Sequence, residues 1–190
     1  MERYKGGAKR VDSLTGKQAK LILTYLKGLG NKRNVLLWTL GITTGLRISD
    51  LLSLRLSDFL TAEGGVAESI TVHEQKTGNG RTILVAPVAR EALEAYRETI
   101  TDADAKLFSI TREQARRLVK AWTGDCGLKG RFGTHTMRKT FATVAYDNSG
   151  GDPVTTARVT GHSNPSQLLA YIGRKPASEL NIWDAVAKTF

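Results

Sequence analysis

The sequence contains one cysteine, Cys126, so no disulfide can close within the chain and no cysteine-rich zinc site can form. Histidine is almost as scarce, with three in 190 residues. None of the three stands at ligand spacing from another, so neither a metal nor a cofactor is expected. Long apolar runs are also missing. Nothing approaches the ~18–20 residues needed to cross a bilayer, and the basic first ten residues are not followed by the apolar stretch of a secretory signal. A membrane partner is not expected, and a cytoplasmic protein is. The last shortage is of acid. Eighteen Asp and Glu face 28 Lys and Arg, leaving a formal charge of +10 and a pI near 9.9. An excess of that size is usual on a surface that meets a polyanion, most often nucleic acid.

What remains is ordinary for a folded protein. Apolar residues make up 41% and charged residues 24%, which excludes global disorder, and the length suits one well-packed domain. Residues 1–12 read as a flexible basic arm carrying Arg3, Lys5, Lys9 and Arg10. Residues 13–190 read as the domain. Apolar side chains at three- and four-residue steps predict one helix from Ser13 and a second over 35–42 that ends at Gly45. A short helix is expected over 50–54, capped by Ser49 or Asp50. The period then changes. Ile70, Val72, Ile83 and Val85 alternate with polar residues around Asn79-Gly80, which predicts a hairpin with Lys76 near its tip. A third strand near Phe59 would complete a small antiparallel sheet. Further helices are expected over 87–100, from Thr111, over 135–148, over 153–160, up to Tyr171 and over 175–190. The fold class is α+β, mainly α-helical, with a small three-stranded sheet.

The helix from Thr111 has the clearest two-sided pattern. Ala115, Leu118, Val119 and Trp122 form its inner stripe. Arg112, Arg116, Arg117 and Lys120 lie on the other side and, with Lys139, are expected to track phosphates.

The stretch 134–171 carries the chemistry. His135 and Arg138 fall one turn apart at a helix start, where both can face one site and the helix end adds partial positive charge. His162 follows Gly161 at another helix end, and Tyr171 comes nine residues later. A planar guanidinium fork matches the oxygens of a phosphate. A tyrosine with a reference pKa of ~10 costs about 4 kcal/mol to ionise at neutral pH, so it needs a base, a positive field, or both. His135 or His162 could take the proton, and Arg47 with Arg138 could supply the field. Lys76 on a hairpin suits protonation of a leaving alkoxide.

Together these residues resemble the catalytic domain of the tyrosine recombinases, the phage integrase family. The first-arginine box reads Thr44-Gly45-Leu46-Arg47-Ile48-Ser49-Asp50. Lys76 in Lys76-Thr77-Gly78 matches the hairpin lysine, His135 and Arg138 the HxxR pair, Gly161-His162 the GH pair, and Tyr171 the nucleophile. Val159-Thr160 departs from the two aliphatic residues common before GH. The resemblance implies site-specific cleavage and rejoining of double-stranded DNA through a 3′-phosphotyrosyl link, without metal or ATP. In that scheme Arg47, Arg138 and His162 bind the scissile phosphate, and Lys76 protonates the 5′-oxygen. His135 assists proton transfer, Tyr171 attacks, and Asp50 holds Arg47. It also implies a homo-tetramer on DNA, with a monomer in its absence and the last helix docking on a neighbour or on its own domain. Family members often carry a further helical domain upstream. The rival readings are DNA relaxation of the type IB topoisomerase kind and a regulator that binds DNA without cutting it.

Overall fold

The computed structural model describes residues 11–74, 78, 80–175 and 186–188. Helix α1 (Gly16–Gly28) begins with a reciprocal cap. Thr15 Oγ1 accepts from the Gln18 N–H at 3.2 Å, and Gln18 Oε1 accepts from the Thr15 N–H at 2.9 Å. Helix α2 (Lys32–Thr44), capped by Asn31, is the axis of the fold, with nine of its thirteen residues buried. A helix apolar on nearly every side belongs at the centre of a domain. It packs against α1, α3 (Ile48–Leu51), α4 (Pro87–Arg97) and α6 (Thr134–Asn148). Its buried threonines need no outside partner, because Thr39 and Thr44 turn their hydroxyls onto the helix's own carbonyls at 2.9 and 2.7 Å. Trp38 meets Trp122 of α5 (Arg112–Asp125) edge to face, with ring centroids 6.0 Å apart, and this contact ties α5 to the axis.

α2 stops at Gly45, whose φ of 63° lies in the left-handed region. A Cβ there would also sit 2.2 Å from the Phe141 ring, so backbone and neighbour both demand glycine. The chain turns straight into α3, which starts at Ile48 with Arg47 as its N-cap residue and no side-chain cap. Ser49 and Asp50 were expected to cap this helix, but they already lie inside it.

β1 (Ser69–His73) and β2 (Gly80–Leu84) form an antiparallel hairpin in which Ile70 faces Ile83 and Val72 faces Arg81. Among the described residues the sheet has two strands rather than three. The stretch near Phe59 forms a 3-10 turn, Ser57–Phe59, and Leu60 pairs with Val66 in a single bridge. The 3-10 turn over Ser57–Phe59 takes up the residues that would carry the ladder away from the tight turn at Thr61, Gly64 and Gly65.

Helices α7 (Pro153–Thr160) and α8 (Pro165–Ile172) do not share the main core. Ala142, Ala157, Leu168, Leu169 and Ile172 form a second, smaller cluster, with Tyr146 and Tyr171 packed on it. The Tyr171 helix is therefore fastened to α6 by a handful of apolar contacts. Most of the expected basic arm and of the expected helix over 175–190, with Trp183 and Phe190, lies outside the described residues.

Leu168 is fully buried in that small cluster. Leu168→Ala should cost ~2–5 kcal/mol and loosen α7 and α8 while leaving α2 protected. Residue-resolved hydrogen exchange measures this, and equal loss of protection in α2 would show that the two clusters unfold as one.

Candidate active site

Three distant segments meet at one point. Arg138, at the first turn of α6, is 4% exposed and donates from Nη1 to the Gly45 carbonyl at 2.6 Å. That bond seats it against the end of α2, beside Arg47. Arg47 in turn pairs through Nη1 with Glu74 Oε2 at 2.5 Å. Glu74 is itself 4% exposed, and its other oxygen lies 3.7 Å from Arg81 Nη2. Arg81 also donates to the Val159 carbonyl at the end of α7. Two guanidiniums thus pair with one buried carboxylate, and a third, that of Arg138, lies within reach of its field.

Strand alternation explains why two charges point inward. Ile70, Val72 and Glu74 lie on one face of β1 at steps of two, and Arg81, Ile83 and Val85 do the same on the returning strand. The face that buries apolar side chains near the base of the hairpin carries Glu74 and Arg81 at its outer end. That end meets Gly161, where φ is 67° and a Cβ would come within 2.6 Å of Glu74 Oε1. Only a glycine lets α7 end this close to the carboxylate.

Burial and like charge then set the ionisation. Burial first, and Arg47 second, bring Arg138 down to about 10, so it stays a cation at neutral pH. Burial also lowers Arg81. His162 is half-buried, and burial followed by the fields of Arg138 and Arg47 lowers it to about 4. The same causes, in the same order, depress His135. Both imidazoles are neutral at neutral pH. Burial raises Tyr171 above the usual phenol value, with Arg138 and Arg47 opposing the rise. The Tyr171 hydroxyl donates to the His135 carbonyl at 3.3 Å, and its ring lies 5.0 Å from the His162 ring at 45°.

Of the residues picked out in the sequence, the structure brings together Arg47, His135, Arg138, His162 and Tyr171. Lys76 lies outside the described residues. Asp50, expected to hold Arg47, is fully buried three residues beyond it, with its carboxylate 3.4 Å from the Ser49 hydroxyl, and Glu74 adds a second carboxylate to this region by pairing with Arg47. The basic face of α5 is less free than expected. Arg116 and Arg117 are both engaged by Glu113, at 2.6 and 3.1 Å, while Arg112 and Lys120 are exposed. Lys139 donates to the Val11 carbonyl at 3.0 Å and so helps hold the start of the domain. Among the described residues no three His, Cys, Asp or Glu side chains are grouped to hold a metal ion, and no helix is long and apolar enough to cross a membrane. Glu74 and Arg81 were missed in the sequence. Extending the strand alternation two residues past Val72, and back from Ile83, would have found them.

A family model described as the phage integrase family matches residues 12–177. The chain is 32% identical over 149 residues to "Probable integrase/recombinase YoeC" of Bacillus subtilis, covering 75% of this chain and 78% of that protein. It is 27% identical to "Tyrosine recombinase XerC" of Caldanaerobacter subterraneus over 83% of this chain and 46% of the other. Among solved structures, the XerH site-specific recombinase bound to its difH substrate superposes with a TM-score of 0.73 at 20% identity, over 96% of this chain and 56% of that one. XerA recombinase gives 0.70 at 21% identity, over 95% and 66%. The chain thus spans most of the Bacillus relative and about half of the XerC and XerH chains.

Glu74 raises both His162 and Arg138, so its negative charge already fills part of this pocket. Glu74→Gln should lower His162 further, and it should tighten binding of inorganic vanadate on the order of tenfold by removing a competing anion. Calorimetric titration of both forms tests this. Equal or weaker binding in the variant would mean that Glu74 holds the arginines in place rather than competing for them.

Proposed function

Because the chain belongs to the phage integrase family, we propose that it cuts and rejoins double-stranded DNA at specific sites through a covalent 3′-phosphotyrosyl intermediate. One observation carries the reading: Arg47, Arg138, His162 and Tyr171, from segments far apart in sequence, converge on one half-buried pocket. A cluster of guanidiniums beside a tyrosine suits a reaction in which charge builds on the non-bridging oxygens of a phosphate.

In this reading Arg47 and Arg138 grip the scissile phosphate, with Arg138 held in line by its bond to Gly45. Tyr171 Oη forms a bond to phosphorus as the bond to the 5′-oxygen breaks. The phenol proton passes to an imidazole of the site, and Lys76 returns a proton to the leaving 5′-oxygen. The energy of the broken phosphodiester is kept in the phosphotyrosyl link, so rejoining needs neither ATP nor a metal. In the DNA-free chain the Tyr171 hydroxyl spends its proton on the His135 carbonyl. Attack requires that bond to break.

DNA is held by the exposed basic residues, among them Arg112 and Lys120, with Arg116 and Arg117 available once phosphate competes with Glu113. A tetramer on DNA and a cytoplasmic setting follow from the same reading.

Three results test it. On a nicked substrate carrying the site, the chain should form a covalent adduct that withstands denaturant and is lost in Tyr171→Phe. An adduct that survives the change would remove Tyr171 from its role. Arg138→Ala should slow cleavage by ~10²–10³-fold with bound fraction nearly unchanged, and a chelator should leave the adduct yield intact. DNA affinity should fall with salt at a slope of ~0.9 per phosphate contacted, measured by fluorescence anisotropy. A flat salt response would argue against a phosphate-tracking surface.

A further inference from the structure

The recombinase reading gives Arg81 no task, yet its guanidinium is packed into the seam between the hairpin and the end of α7. Its Nη1 donates to the Val159 carbonyl. Its Nη2 faces Glu74 Oε1 at 3.7 Å, too far for a hydrogen bond. Nε and Nη2 are both shut away from solvent without a hydrogen-bond partner among the described residues. A buried cation with unmet donors is costly, and burial depresses Arg81 accordingly, with Glu74 opposing. The nearby acceptor is already committed, because Glu74 holds Arg47 through Oε2 at 2.5 Å. A Cβ at Gly161 would lie 2.6 Å from Glu74 Oε1 and 3.6 Å from Arg81 Cζ. Carboxylate and guanidinium thus lie side by side over the Gly161 turn, about 1 Å short of a charge-assisted bond.

We propose that Arg81 is a positioning residue that takes Glu74 over from Arg47 when an oxyanion enters the pocket. The inference rests on the recombinase reading only for the identity of that anion, a DNA phosphate. The exchange itself lies between side chains of this chain. An oxyanion seated on Arg47 competes for the donors that grip Glu74 and repels its carboxylate. A carboxylate displaced within a half-buried space needs another cation beside it. Arg81 supplies one, with two buried nitrogens still lacking an acceptor. The pocket then holds two ion pairs, the anion with Arg47 and Glu74 with Arg81, where before Glu74 was shared unequally. Arg81 has no need to move, because the Val159 carbonyl anchors its other nitrogen. The hairpin stays fastened to the end of α7 while the fork of Arg47 is cleared. The arginines thereby divide the work: Arg47 meets the anion, and Arg81 meets the carboxylate that the anion displaces.

A double-substitution cycle on the full chain, read by calorimetric titration with inorganic vanadate, tests the exchange. If no side chain moves, Arg81 and Glu74 act on the bound anion independently, and removing both gives the product of the two single effects. If Glu74 passes to Arg81, each effect depends on the other. Arg81→Gln keeps an N–H for the Val159 carbonyl. It should weaken vanadate binding on the order of tenfold more in the unmodified chain than in the Glu74→Gln background. Glu74→Gln thus rescues Arg81→Gln, which a purely structural loss would not allow. Equal weakening in both backgrounds, or no weakening in the unmodified chain, would overturn the proposal. Should Arg81→Gln not fold, a crystal structure of the unmodified chain with vanadate bound decides. Glu74 should be within hydrogen-bond distance of Arg81 and parted from Arg47, and a Glu74 still on Arg47 would sink the idea. A chain that shows the coupling yet forms no adduct on any DNA would remove the recombinase reading and leave the Arg81 assignment standing. Adduct formation without the coupling would do the reverse.

Discussion

The contact on which the site depends is the buried pair between Arg47 and Glu74. Guanidiniums repel one another, and in a half-buried space Arg47, Arg81 and Arg138 are eased by an anion among them, a place that Glu74 holds and that a bound anion would contest. Removing a charge from water costs several kcal/mol unless a partner is near. Glu74 is that partner for Arg47 and Arg81, and the Gly45 carbonyl partly serves Arg138. The arginines nevertheless outnumber the buried acids Glu74 and Asp50. The pocket therefore keeps a positive field that, after burial, helps to push His162 down to about 4, and an anion entering the pocket would relieve it.

The fold brings these charges together by ending elements at one place. α2 stops at Gly45, α3 starts at Arg47, α6 starts at Thr134, α7 stops at Gly161 and the hairpin ends beyond His73. Each terminus exposes backbone groups that side chains can use, as Arg138 uses the Gly45 carbonyl and Arg81 the Val159 carbonyl. The heavy apolar packing of α2 lies behind this point and holds it rigid. The Tyr171 helix is held by a smaller, separate cluster. The arginine cluster and Tyr171 thus rest on two different cores.

Much of this was legible in the sequence, and the exceptions have physical causes. The helices could be read because their apolar spacing is regular, and the motif residues because their chemistry is uncommon. Arg47 and Arg138 were found without any knowledge of what they touch. A carboxylate on Arg47 that the sequence did not point to is that of Glu74, which arrives from another element. Likewise the α5 cations looked unopposed because Glu113 precedes them, yet one turn of helix places it directly beneath Arg116 and Arg117. The contact between Thr160 and His162 needed the left-handed turn at Gly161, which brings the His162 ring back onto the helix it has just left.

The position of Glu74 also bears on the hairpin lysine. Lys76 follows Glu74 by two residues, at most ~7 Å of extended chain, so whatever holds Glu74 limits where the lysine can begin. While Glu74 is locked between Arg47 and Arg81, the base of the hairpin tip is tied to the arginine pocket. A phosphate that takes over Arg47 weakens that tie from the inside. In the reading proposed above, anion binding at Arg47 and the reach of Lys76 are linked through one carboxylate, because the pair that holds Glu74 is the pair an arriving phosphate competes for.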